Sequence, residues 1–78
     1  MAFGFEFKLP NFIYYESGSK TEEEAKSKLE EISKSHCKED SLAIGTVYCL
    51  KDGRFNTLEK YEIKLEDGER IMRAFKSE

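Results

Sequence analysis

Apolar residues return at every second position near the start of this chain. Phe3, Phe5, Phe7 and Leu9 alternate with Gly4, Glu6 and Lys8, the pattern of a half-buried strand. Pro10-Asn11 interrupts it, and Phe12-Ile13-Tyr14-Tyr15 resumes extended character. Proline cannot donate to a sheet ladder, so either one strand bends at Pro10 or a short hairpin turns there; the bent strand is favoured. Residues 16–20 read as a loop. Ile13 and Tyr15 point away from Phe12 and Tyr14 in any regular strand.

The period then changes. Thr21 followed by Glu24 reads as a capping box, with the hydroxyl accepting from a free helical N–H and the Glu returning to the N–H of Thr21. A helix is predicted over residues 22–37, acidic at its start and basic near its end, as the helix dipole favours. Glu22–Lys26, Glu24–Lys28 and Glu30–Lys34 stand four apart in the favourable orientation. The charge run is therefore a solvated helix face rather than an acidic binding tail. Ala25, Leu29 and Ile32 form a narrow apolar stripe, continued by Ser33, His36 and Cys37. Such a stripe suits a helix lying on one face of a sheet.

Leu42 to Leu50 reads as a strand, and Asp52-Gly53 as a two-residue turn that prefers positive φ at both positions. That turn places Leu50 opposite Phe55, Tyr48 opposite Thr57, Ile44 opposite Tyr61 and Leu42 opposite Ile63, with Val47 and Leu58 opposite each other on the reverse face. A second hairpin at residues 66–69 admits two registers. A two-residue loop pairs Glu66 with Glu69 and Ile63 with Met72. A three-residue loop pairs Ile63 with Ile71, avoids the like charges, and gathers Tyr61, Ile63, Leu65, Ile71 and Phe75 on one face; it is preferred. The expected fold is one small α+β domain over residues 1–78, in the order βαβββ. One helix packs on one face of a mostly antiparallel sheet.

The chain has 78 residues, 38% hydrophobic and 37% charged, with 13 Lys+Arg against 16 Asp+Glu and a net charge of −3. That balance is too acidic for a general nucleic-acid binder and too weak a single-sign field for a DNA mimic. Cys37 and Cys49 are too few for a disulfide framework. With an initial Met, no signal-like apolar core and no span of membrane length, a reducing cytoplasmic location is expected.

Candidate chemistry is sparse. His36 and Cys37 are adjacent on a helix and point about 100° apart, so they do not form a nucleophile–base dyad. Cys49 adds no zinc-like spacing. The carboxylates lie on the helix surface or in turns, without an apolar setting to raise a pKa. No phosphate-loop motif is present. An enzyme, a cofactor and a metal are therefore not expected.

Phe3-Gly4-Phe5 resembles the aromatic core of the RNA-recognition motif. It lacks the leading basic residue, has Glu6 at an apolar position, and brings the last aromatic one residue early. In size, acidity and element order, the chain also resembles small phage and mobile-element proteins. Some of these block larger machines by binding them, an analogy of fold alone.

What stands out is apolar supply. One narrow helix cannot cover both faces of this sheet, and exposed apolar patches on small proteins mark interaction sites. The leading expectation is a non-enzymatic protein-binding module: an adaptor, an inhibitor or a self-associating domain that forms a homodimer. Its candidate contacts are Phe3, Phe5, Phe7, Tyr14 and Tyr15, with Val47 and Leu58; the first-strand rings serve equally well as core. The alternatives are an accessory subunit of a larger enzyme, or nucleic-acid binding through Lys60, Lys64, Arg70 and Arg73 beside aromatics. Those bases are interleaved with Glu59, Glu62, Glu66 and Glu69.

Overall fold

The computed structural model describes residues 2–36 and 42–75. The expectation for Cys37 as the last helical residue, and that for the side chain of Phe75, lie outside what is described. The elements are β1 (Ala2–Leu9), β2 (Phe12–Ser19), α1 (Glu22–His36), β3 (Ala43–Lys51), β4 (Arg54–Glu66) and β5 (Glu69–Phe75). They form a five-stranded antiparallel sheet in the order β2-β1-β3-β4-β5, with α1 packed on one face, chiefly over β1. This is a small α+β fold.

Pro10 does not bend a single strand. Leu9 pairs with Phe12 across Pro10-Asn11, so the turn makes a hairpin and β2 becomes an edge strand. That strand continues through residues 16–19, expected to be loop, with Gly18 at φ 101° where the register shifts. β1, tied on one side to β2 and on the other to β3, is the central strand of its half of the sheet. A strand paired on both sides lies inside the sheet with its helix-facing side chains in the core, and this is why it carries three phenylalanines.

The Asp52-Gly53 turn has φ of 52° and 76°, the left-handed pair that a two-residue hairpin prefers. The register begins as expected, with Leu50 opposite Phe55 and Tyr48 opposite Thr57. It then slips. Val47 pairs with Glu59, and Leu58 is the extra residue of a β-bulge. Beyond the bulge, Gly45 meets Tyr61 and Ala43 meets Ile63, so Ile44 and Leu42 do not occupy those places. A one-residue slip turns every later side chain to the other face. The expected pairing of Val47 with Leu58 is lost for the same reason.

The slip has a packing cause. A Cβ on Gly45 would lie 2.8 Å from Leu29 Cδ2 and 3.1 Å from Ile63 Cδ1. Small residues at 43 and 45 let α1 come down onto the sheet; Ile44 in that row would hold it off. The core beneath the helix is Phe5, Phe7, Ala25, Leu29, Ala43, Val47, Tyr61 and Ile63, with Phe3, Leu9, Tyr14, Ile32 and Met72 against it.

The second hairpin takes the two-residue register, not the three-residue one. Glu66 pairs with Glu69 and Ile63 with Met72, and Asp67 and Gly68 have φ of 53° and 79°. Arg73 Nη1 stands 3.8 Å from Glu66 Oε2, which relieves the like-charge pair. This register brings Arg70 onto the helix side. Its Nη1 donates to the Glu30 carbonyl at 2.7 Å and to Ser33 Oγ at 3.0 Å.

At the helix start Thr21 Oγ1 accepts from the Glu24 N–H at 3.0 Å. Glu24 Oε1 accepts from the N–H of Lys20, not Thr21, at 2.7 Å. None of the three intrahelical ion pairs closes within 4.0 Å among the described residues. Lys28 reaches Glu16 on β2 at 3.6 Å, and Lys26 lies over the Tyr61 ring, 5.4 Å from its centroid. Exposed pairs of that kind are worth little, so nearby sheet partners draw the lysines away.

Candidate functional site

The two faces of the sheet divide by parity. Phe3, Phe5, Phe7, Tyr14, Val47, Tyr61 and Ile63 turn toward α1. Gly4, Glu6, Lys8, Ile13, Tyr15, Ile44, Thr46, Tyr48, Phe55 and Thr57 turn away from it. Among the described residues nothing packs over this second face.

Of the residues singled out from the sequence, Phe5, Phe7 and Val47 are buried at 2%, 0% and 1% exposure. Phe3 and Tyr14 are half-buried against the same core. These five rings and chains fill the interior between helix and sheet. Tyr15 is 70% exposed on the open face, and Leu58 stands exposed at the bulge. The sheet therefore separates a set that the alternating pattern had grouped together.

Tyr48, Phe55 and Ile13 were not singled out. Phe55 is 68% and Ile13 56% exposed, and both stand with Tyr15 on the open face. Beside Phe55 is Tyr48, buried although no helix covers it. Its ring lies across Gly4, where a Cβ would be 2.8 Å from the ring's Cζ, and its hydroxyl donates to the Glu16 carbonyl at 3.3 Å. The Phe55 ring meets Tyr48 edge to face, with centroids 5.0 Å apart and planes at 86°. Burial pushes the Tyr48 phenol up from its ordinary pKa, and the charge of Glu6 adds to the effect. The missed signal was the glycine: Gly4 leaves a gap in β1 that a large ring from β3 fills from the opposite face.

Around this ring runs a groove of about 310 Å³ lined by Glu6, Tyr15, Thr46, Tyr48, Phe55 and Thr57. A second depression of about 380 Å³ continues from Glu6 and Thr46 to Lys8, Ile44 and Lys60. The open face thus has an aromatic end with one carboxylate and a basic end. On the helix side, a depression of about 370 Å³ between β2 and α1 is lined by Tyr14, Glu16, Lys28 and Glu31. There the Tyr14 hydroxyl donates to Glu16 Oε2 at 3.2 Å, and that bond raises the Tyr14 pKa.

His36 stacks on Phe12, with centroids 5.0 Å apart and planes at 10°, and its Nδ1 is 3.2 Å from the Ile32 carbonyl. Cys49 is a buried free thiol on the core side of β3. Among the described residues no three His, Cys, Asp or Glu side chains gather where they could hold a metal. No helix is long and apolar enough to cross a membrane, among the residues described. Comparison with protein-family models, curated proteins and solved structures finds no match to this chain.

Proposed function

We propose that this protein is a non-enzymatic protein-interaction module that docks a partner on the helix-free face of its sheet. The observation that carries the reading is the groove lined by exposed Tyr15 and Phe55 and by Tyr48 on an uncovered sheet face, with exposed Ile13 two residues along β2 from Tyr15. Tyrosine and phenylalanine are typical interface anchors, and a contiguous apolar patch on a chain this small is costly to leave in water. The docking contacts are therefore Tyr15, Tyr48 and Phe55, while Phe5, Phe7 and Val47 serve the core that holds the face rigid. An adaptor, an inhibitor of a larger assembly and an accessory subunit all fit such a face.

The experiment is a paired capture from source-cell lysate, with and without nuclease, using the wild-type chain, the Tyr15→Ala/Phe55→Ala variant and an Ile32→Ala variant on the other face. A nuclease-resistant partner held by the wild type and by Ile32→Ala but lost by the double variant supports the reading. A partner held equally by all three places docking elsewhere and overturns it.

A second reading is favoured by one observation: Lys8, Lys60, Lys64 and Arg73 all stand on the open face, beyond the aromatic end. Rings for stacking beside cations for phosphate suit a single-stranded nucleic acid. Arg70 plays no part in it, because it is engaged with the helix. Binding of a labelled oligonucleotide that weakens with salt supports this alternative; no binding at low salt removes it.

A further inference from the structure

We infer that the groove between Tyr15, Tyr48 and Phe55 receives a basic side chain, a lysine or arginine of the docked protein, with Glu6 as its counter-charge. The inference rests on the docking face proposed above and names the chemistry of its anchor.

Three features carry it. The groove is lined by Tyr15, Tyr48 and Phe55, the last two in edge-to-face contact. Aromatic faces are negative, and rings set around a hollow attract cations, which is how quaternary ammonium groups and methylated lysines are held. Next, Glu6 lines the same groove, and among the described residues it has no ion-pair partner within 4.0 Å. An apolar side chain seated there would strip water from the carboxylate without replacing its partner, which is unfavourable; a cation would replace it. Finally, the charge of Glu6 is felt inside the groove, since it adds to burial in holding the Tyr48 phenol neutral.

The other occupants fit less well. A nucleic-acid base stacking on Tyr15 and Phe55 would bring its phosphate toward Glu6. An aliphatic anchor would use the rings but leave the carboxylate unpaired. Thr46 and Thr57 hydroxyls along the wall offer acceptors to a guanidinium or ammonium.

The test is a titration of the isotope-labelled protein, followed through its backbone amide resonances. The probes are capped Gly-X-Gly peptides in which X is lysine, trimethyl-lysine, arginine or norleucine. The three cationic peptides should shift the amides of Glu6, Tyr15, Tyr48 and Phe55, and norleucine should bind more weakly. Phe55→Leu and Glu6→Gln should each weaken the cationic peptides about two- to fivefold, the range for an exposed cation–π contact or ion pair, and leave norleucine unchanged. Phe55→Leu keeps apolar bulk and removes the ring, so the two variants test the quadrupole and the charge separately. Norleucine binding as tightly as lysine overturns the cation assignment while leaving an apolar docking face. Failure of every cationic peptide to move these four amides at millimolar concentration also overturns it, and lysate capture then judges the docking face on its own. An oligonucleotide that shifts these amides better than the peptides transfers the groove to the nucleic-acid reading.

Discussion

The two faces of this one sheet are built from the same strands, yet they do opposite things with their apolar residues. On the covered face, Phe5, Phe7, Leu29, Val47 and Ile63 interlock, and the residues under the helix are Ala43 and Gly45. On the open face the large residues stand without a second layer: Tyr15, Phe55 and Ile13, with Tyr48 folded down across Gly4. Each face owns a glycine that makes room for something large, Gly45 for Leu29 and Gly4 for Tyr48. In the first case the guest is a helix and the result is a closed core. In the second it is a single ring, and the result is a platform with a groove beside it. A residue's fate in a sheet follows its parity more than its hydrophobicity, and here parity is reset at the Leu58 bulge.

The sharpest way to break the contrast is from the covered side. Phe7→Ala empties a fully buried site and should cost about 3–5 kcal/mol. In a domain of this size that is most of the stability, and urea denaturation should show a collapsed midpoint. Gly4→Ala strikes the open side. Its Cβ would collide with the Glu16 carbonyl oxygen and the Tyr48 ring. Backbone on one side leaves little room for relief, so about 1–3 kcal/mol should be lost, together with the Tyr48–Phe55 contact as read from aromatic proton shifts.

Arg70→Met asks whether β5 needs its tie to the helix. The substitution removes two hydrogen bonds to Glu30 and Ser33 and should cost about 1–3 kcal/mol, with hydrogen exchange speeding up in β5 before β1. A pH titration compares the faces through one tyrosine on each. Tyr48 and Tyr61 both have pKa values raised above 10.0, in each case first by burial. A raised folded-state value means the folded chain holds the proton more tightly. Their contribution is therefore complete below the ordinary tyrosine pKa and is lost as pH climbs through the raised one. Tyrosinate absorbance and stability should change together there, and Tyr48→Phe should remove the Tyr48 share of that late absorbance change. The smallest effect on stability is expected for Tyr15→Ala. An exposed side chain away from special backbone features moves stability by no more than about 0.5 kcal/mol, so an intact denaturation curve with lost partner binding would separate platform from core.

Much of the fold was legible in the chain. Alternation marked β1, Thr21 marked the helix start, and two Asp-Gly pairs marked two hairpins. The misreadings share a cause. The bulge at Leu58, the hairpin at Pro10 and the register of β5 each turn on a single residue, and local pattern tolerates either reading. Ile44 opposite Tyr61 looks as good in a row of letters as Gly45 opposite Tyr61; only the approach of Leu29 decides between them. The same holds for Glu66 opposite Glu69, disfavoured locally and accepted because Arg73 lies near and Arg70 gains the helix. The candidate surface was legible in kind but not in membership: an excess of aromatics over what one helix covers was evident, and Tyr15 was named. Tyr48 and Phe55 were hidden, because the unbulged register put them on the same face as Tyr61 and Ile63.

By itself, then, the sequence determined the helix, every strand but β2, the helix-on-sheet class and the surplus of aromatic surface. These follow from local conformational preference and from counting apolar residues. Tertiary structure alone decided which aromatics are core and which are exposed. That choice depends on a one-residue slip whose energy comes from a helix packing against strands distant in the chain, and no local window contains both partners.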